Sequence, residues 1–130
     1  MGHLGLTPQS VNAFGGFKVQ GKTMAAAQKL LDDARALQDA GAFALVLECV
    51  PAPLAERVTR AVAIPVIGIG AGAGCDGQVL VWQDMTGMTL SHLPRFVKRF
   101  GEVGASLRSA VEAYAREVRA GAFPGEDHVY

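Results

Sequence analysis

Ala42-Phe43-Ala44-Leu45-Val46-Leu47-Glu48 and Ile64-Pro65-Val66-Ile67-Gly68-Ile69 are two short, solidly apolar runs. Runs of this length suit strands buried on both faces, as in parallel sheets. Between them, Pro51 and Pro53 open a helix whose inner face is Leu54, Val58, Ala61 and Val62, with Glu56 and Arg60 paired outside at i,i+4. Strand, helix, strand is the unit of a parallel α/β sheet.

Working outward, Thr23 to Ala40 repeats Met24, Ala27, Leu30, Leu31, Ala34 and Leu37 at helical spacing. Thr23 stands where a cap is needed, and Gly41 can end that helix in the left-handed conformation. Gln78 to Trp82 reads as another strand. Ser91 is placed to cap a helix with Leu93, Phe96, Val97 and Phe100 inward. A last helix from about Ser106 to Ala120 is expected to bury Leu107, Val111, Tyr114 and Val118. Met1-Gly2-His3-Leu4-Gly5-Leu6 reads as the end of a strand without its beginning. So few parallel strands leave an apolar edge and uncovered faces, and the expectation is a single partial domain over residues 1–130, part of a larger fold.

Composition narrows the classes. The chain has 130 residues, of which 50% are hydrophobic and 18% charged, and its 12 basic and 12 acidic residues cancel. A disordered chain needs low hydrophobicity and high net charge, so disorder is excluded. No overall field draws the chain to nucleic acid or anionic lipid, and Arg95, Lys98 and Arg99 read as a solvated face. No apolar run approaches the roughly 20 residues that span a bilayer. The N-terminus shows no secretory pattern, and two cysteines, Cys49 and Cys75, are too few for a disulfide framework. A cytoplasmic location is expected.

Glu48 is the most informative single residue. It ends the run Leu45-Val46-Leu47, at the sheet edge where ligands bind in α/β folds. A carboxylate there is a candidate general base, the alternative being a solvated glutamate opening a loop. Gly72, Gly74 and Gly77 satisfy G-x-G-x-x-G, but an apolar β-like run follows instead of a helix, and no acid lies about 20 residues on. A glycine turn allowing close backbone approach is the better reading. His3, between glycines at a strand end, is a candidate hydrogen-bond donor to an anionic or carbonyl substrate. His92, His128, Cys49 and Cys75 lack the spacing of a metal site, and no residue is assigned as a metal ligand.

Taken together, several segments resemble the ketopantoate hydroxymethyltransferase family. They are Gly2-His3-Leu4-Gly5-Leu6-Thr7-Pro8-Gln9-Ser10, Phe14-Gly15-Gly16-Phe17-Lys18-Val19-Gln20-Gly21, Leu45-Val46-Leu47-Glu48-Cys49-Val50-Pro51, Ile64 to Gly72, Asp76-Gly77-Gln78-Val79-Leu80-Val81 and Pro124-Gly125-Glu126-Asp127-His128. Their order and spacing are the family's, over nearly the whole chain. The resemblance implies the C-terminal half of a (β/α)8 TIM barrel of the phosphoenolpyruvate/pyruvate-binding type. It implies transfer of a one-carbon unit from 5,10-methylenetetrahydrofolate to 3-methyl-2-oxobutanoate, giving 2-dehydropantoate on the route to pantothenate. In the family Mg2+ chelates the keto acid and stabilises the enolate; its acidic ligands are expected in the N-terminal half, which nothing here matches. Glu48 matches the proton acceptor, and His3 matches the histidine that contacts the keto acid. Gln83-Asp84 stands where the family is expected to carry His-Asp.

The implied partners are the two substrates and either further copies in a homo-oligomer or a complementing N-terminal half. Two other readings compete: a non-catalytic half-barrel that self-associates through its strands, and a related carbon–carbon lyase or aldolase on the same barrel.

Overall fold

The computed structural model describes residues 1–130. Four strands form one parallel sheet in the order β1-β2-β3-β4, made of Gly2–Gly5, Leu45–Glu48, Val66–Ile69 and Gly77–Gln78. Helices α1 (Val11–Phe14) and α2 (Met24–Asp39) join β1 to β2, and α3 (Ala52–Ala61) joins β2 to β3. This is the expected α/β order. The backbone gathers into two compact units, Met1–Val79 and Leu80–Tyr130.

In the first unit the strand period of two and the helix period of 3.6 meet on one side of the sheet. Leu45, Leu47 and Val66 are fully buried, and they pack with Leu30, Leu31 and Ala34 of α2 and Leu54, Ala55 and Val58 of α3. Local chemistry sets the ends of these helices. The Thr23 hydroxyl accepts the Ala26 amide at 3.2 Å, and Gly41 turns the chain at φ 93°. Pro51 and Pro53 flank the first residue of α3, where a missing N–H costs nothing.

The apolar runs suit strands buried on both faces, yet, as so few parallel strands led one to expect, one face of the sheet is left uncovered. Both helices cover the same face. On the other, Val46, Glu48, Ile67 and Ile69 are only half-buried, as is His3. The edges are open as well: β1 pairs only with β2 and β4 only with β3.

The second unit departs more from expectation. The strand expected over Gln78 to Trp82 ends at Gln78, although the Val79 amide still reaches the Gly68 carbonyl at 3.0 Å, and Trp82–Met85 is a short helix, α4. No helix forms from Ser91 to Phe100. Pro94 disfavours the helical region for Leu93, which weakens a start at Ser91, and the segment holds only a turn closed by the Val97 amide on the Pro94 carbonyl. The last helix does form, as α5 (Val103–Arg119). Its apolar stripe is not buried: Leu107, Val111, Tyr114 and Val118 are 44–58% exposed, and Gly87 is the only buried residue of this unit. No helix is long and apolar enough to cross a membrane.

Candidate active site

The register of the first two strands brings the two candidate residues together. His3 pairs with Val46, and Gly5 with Glu48. Side chains two apart on a strand share a face, so His3 and Glu48 are diagonal neighbours on the half-buried face. The His3 Nε2–H donates to Glu48 Oε2 at 3.1 Å, with the side chains 31% and 17% exposed. Glu48 Oε1 has no protein partner and stays accessible.

Backbone bonds on both sides hold Glu48 in place. Its carbonyl accepts the Leu6 amide at 2.8 Å, and the next amide, that of Cys49, donates to the Ile69 carbonyl at 2.9 Å. Cys49 itself is left-handed at φ 50°, the only non-glycine residue with positive φ. This turn takes the chain out of the strand immediately after Glu48. The Cys49 carbonyl then accepts the Gln20 amide at 2.9 Å, which ties the loop between α1 and α2 to the strand end. The Cys49 thiol is pushed up by burial and, secondarily, by the charge of Glu48.

Gly5 makes the His3–Glu48 approach possible. It has φ 88°, and a Cβ there would collide with the Glu48 carbonyl oxygen and lie 2.7 Å from Val50 Cγ2. Its sequence signal was a glycine interrupting a strand-like run.

The glycine-rich segment after β3 is structural. Gly72 has φ 79°, and a Cβ there would strike Ala52 at the start of α3, so the loop packs on the helix. The segment leads into β4 and not into a helix, which agrees with the rejection of a dinucleotide fingerprint. Asp76, which the sequence reading passed over, accepts the Val66 amide on Oδ2 at 2.8 Å and pins the start of β3. An acid inside a glycine loop was the available signal.

The remaining candidates stay outside this arrangement. His92 is exposed, and His128 packs against the Phe123 ring at 5.2 Å. Gln83 is exposed on α4. Cys49 and Cys75 are free thiols. No three His, Cys, Asp or Glu side chains cluster as a metal site needs.

Residues 1–126 match the sequence model of a family described as ketopantoate hydroxymethyltransferase. The chain is similar to proteins named 3-methyl-2-oxobutanoate hydroxymethyltransferase. The one from Clostridium novyi (strain NT) is 60% identical over 130 residues, which is 100% of this chain and 47% of the relative. The one from Syntrophus aciditrophicus (strain SB) is 59% identical, over 100% of this chain and 48% of its own length. The one from Enterococcus faecalis (strain ATCC 700802 / V583) is 57% identical over 128 residues, 98% of this chain and 46% of the relative. The chain spans about half the length of the curated relatives it matches.

Proposed function

The chain belongs to the ketopantoate hydroxymethyltransferase family, and from that membership we propose that it contributes the proton-accepting part of an active site that moves a hydroxymethyl group from 5,10-methylenetetrahydrofolate to 3-methyl-2-oxobutanoate, giving 2-dehydropantoate. The observation that carries this reading is the His3–Glu48 pair on the uncovered face at the strand ends. Glu48 Oε1, free of protein partners, takes the proton from C3 of the keto acid, and the C–H electron pair passes into the enolate. His3 holds the other carboxylate oxygen from β1, which fixes the carboxylate, and its ring lies on the face where the keto acid docks. Val46, Ile67 and Ile69 line that face and limit water around the reacting carbon.

The acids and imidazoles of this chain do not fit a magnesium site, since no three of them converge. The ion that stabilises the enolate in this reading is held by residues of a complementing N-terminal half, and no step here is routed through it. Function in a homo-oligomer in the cytoplasm belongs to the same proposal; two unpaired thiols suit a reducing compartment.

The test follows the C3 proton of 3-methyl-2-oxobutanoate by NMR in deuterated buffer with magnesium, for this chain alone and with an N-terminal half supplied. Exchange is expected only when both halves are present. Glu48→Gln in that complex should abolish exchange while keto-acid binding persists. Unchanged exchange in the variant removes Glu48 from the mechanism.

A further inference from the structure

We propose that Gln20 is a positioning residue for Glu48: by tying the α1–α2 loop to the Cys49 carbonyl, it fixes the direction in which β2 presents the carboxylate. The inference deepens the proposed function and rests on its reading of Glu48 as the proton acceptor.

A side chain on the last residue of a strand keeps its direction only if the chain beyond it is held. Up to Glu48 the ladder does this. The Glu48 carbonyl accepts the Leu6 amide at 2.8 Å, and the Cys49 amide donates to the Ile69 carbonyl at 2.9 Å. Beyond that point β2 has ended. Cys49 turns left-handed at φ 50°, a backbone conformation that a residue with a side chain holds only where its surroundings impose it. The Cys49 carbonyl, carried out of the ladder by this turn, accepts the Gln20 amide at 2.9 Å.

The loop that supplies this amide is itself held at two points. Gln20 Nε2 donates to the Lys18 carbonyl at 2.9 Å, closing a turn on the N-terminal side of the Gln20 N–H. One residue on, Gly21 has φ 76°, and a Cβ there would lie 2.5 Å from Leu54 Cδ2 and 3.7 Å from Leu30 Cδ1. Leu30 and Leu54 are both core residues, so the loop is seated on α2 and α3 immediately after Gln20. Gln20 thus links the packed core to the strand end that carries Glu48. Every contact in this link is made between residues of this chain, whatever covers the sheet.

The link protects a narrow geometry. At 3.1 Å the His3–Glu48 hydrogen bond is long for an N–H donor on a carboxylate, so a small further displacement of Glu48 loses it and turns Oε1 as well. Proton transfer needs heavy atoms within about 2.6–3.2 Å, and a misplacement of about 1 Å can cost on the order of 10²-fold in rate. Opening the Lys18–Gln20 turn frees the Cys49 carbonyl and lets the carboxylate drift, while the groups that contact the keto acid stay in place.

The test uses the complex of this chain with an N-terminal half. It follows deuterium exchange at C3 of 3-methyl-2-oxobutanoate by NMR as the keto acid concentration is varied. Gln20→Ala should lower kcat about tenfold and leave KM within about twofold, because orientation is lost and binding is not. Gln28→Ala removes a comparable glutamine hydrogen bond, Nε2 to Asp32 Oδ1 at 2.9 Å on α2, and should change neither constant. In the same complex the backbone amide at position 20 should exchange with solvent about tenfold faster in Gln20→Ala, with an unchanged circular dichroism spectrum. An unchanged kcat, a rise in KM at constant kcat, an equally protected amide at position 20, or a loss equalled by Gln28→Ala would each overturn the proposal. Glu48→Gln in the same assay separates the two readings. Exchange that survives it removes Glu48 as the base and this proposal with it. Exchange lost there but untouched in Gln20→Ala removes only the role of Gln20.

Discussion

Replacing Gly5 by alanine tests whether the β1–β2 contact behind Glu48 is as tight as the structure makes it. Two costs add. The backbone at Gly5 has φ 88°, where an L side chain costs about 1–2 kcal/mol. The new Cβ would also meet the Glu48 carbonyl oxygen and carbon, the latter at 3.1 Å, and Val50 Cγ2 at 2.7 Å. Val50 is 2% exposed and Glu48 is bonded on both sides, so neither can yield freely. Overpacking of this kind adds roughly 1–3 kcal/mol, for a total of about 2–5 kcal/mol. Gly41→Ala isolates the first cost, because Gly41 has a similar φ of 93° and nothing within 4 Å of its would-be Cβ. Urea denaturation of both variants at one protein concentration measures the difference. Gly5→Ala should be the less stable by at least about 1 kcal/mol, the smallest overpacking cost. Equal losses in the two variants would refute the close approach, and with it the account of how His3 reaches Glu48.

Other outcomes follow from single contacts. Asp76→Ala leaves the amide of fully buried Val66 without its acceptor and should cost about 1–2 kcal/mol in denaturant titrations, with Asp76→Asn recovering part of the loss. Thr23→Ala removes the hydroxyl that accepts the Ala26 amide and should cost about 1 kcal/mol in the same titrations. The Cys49 thiol lies above its ordinary value near 9, so near pH 8 it holds less thiolate than a free cysteine and should alkylate more slowly with iodoacetamide. Glu48→Gln removes the charge that contributes to this shift. The pH dependence of Cys49 alkylation should then move to lower pH, and an unmoved profile would mean that Glu48 does not act on the thiol.

The pattern of the first unit was legible because each element carries its own signal. Leu45-Val46-Leu47 and Val66-Ile67 are continuous apolar runs, Thr23 caps by local chemistry, and the prolines at the start of α3 act where they stand. The second unit was legible only in its last helix, because elsewhere its signals conflict. Ser91 and the spacing of Leu93, Phe96, Val97 and Phe100 argue for a helix, while Pro94 disfavours the helical conformation at Leu93. The stripe on α5 shows that periodicity predicts a helix and which of its faces is apolar, but not that anything covers that face.

Glu48 could be singled out from its place at the end of an apolar run, and the family could be recognised from motifs in order, because both are properties of the chain read linearly. That His3 and Glu48 form a pair is not such a property. They are separated by 45 positions, and only the parallel register of β1 on β2, with Gly5 narrow enough to admit it, puts them on one face 3.1 Å apart. The sequence by itself determined the βα order of the first unit and the residue types along its strands. Tertiary structure alone decided which face the helices cover and which side chains meet across strands, because local propensity and hydrophobic period act within one element, whereas register and coverage arise from how elements pack.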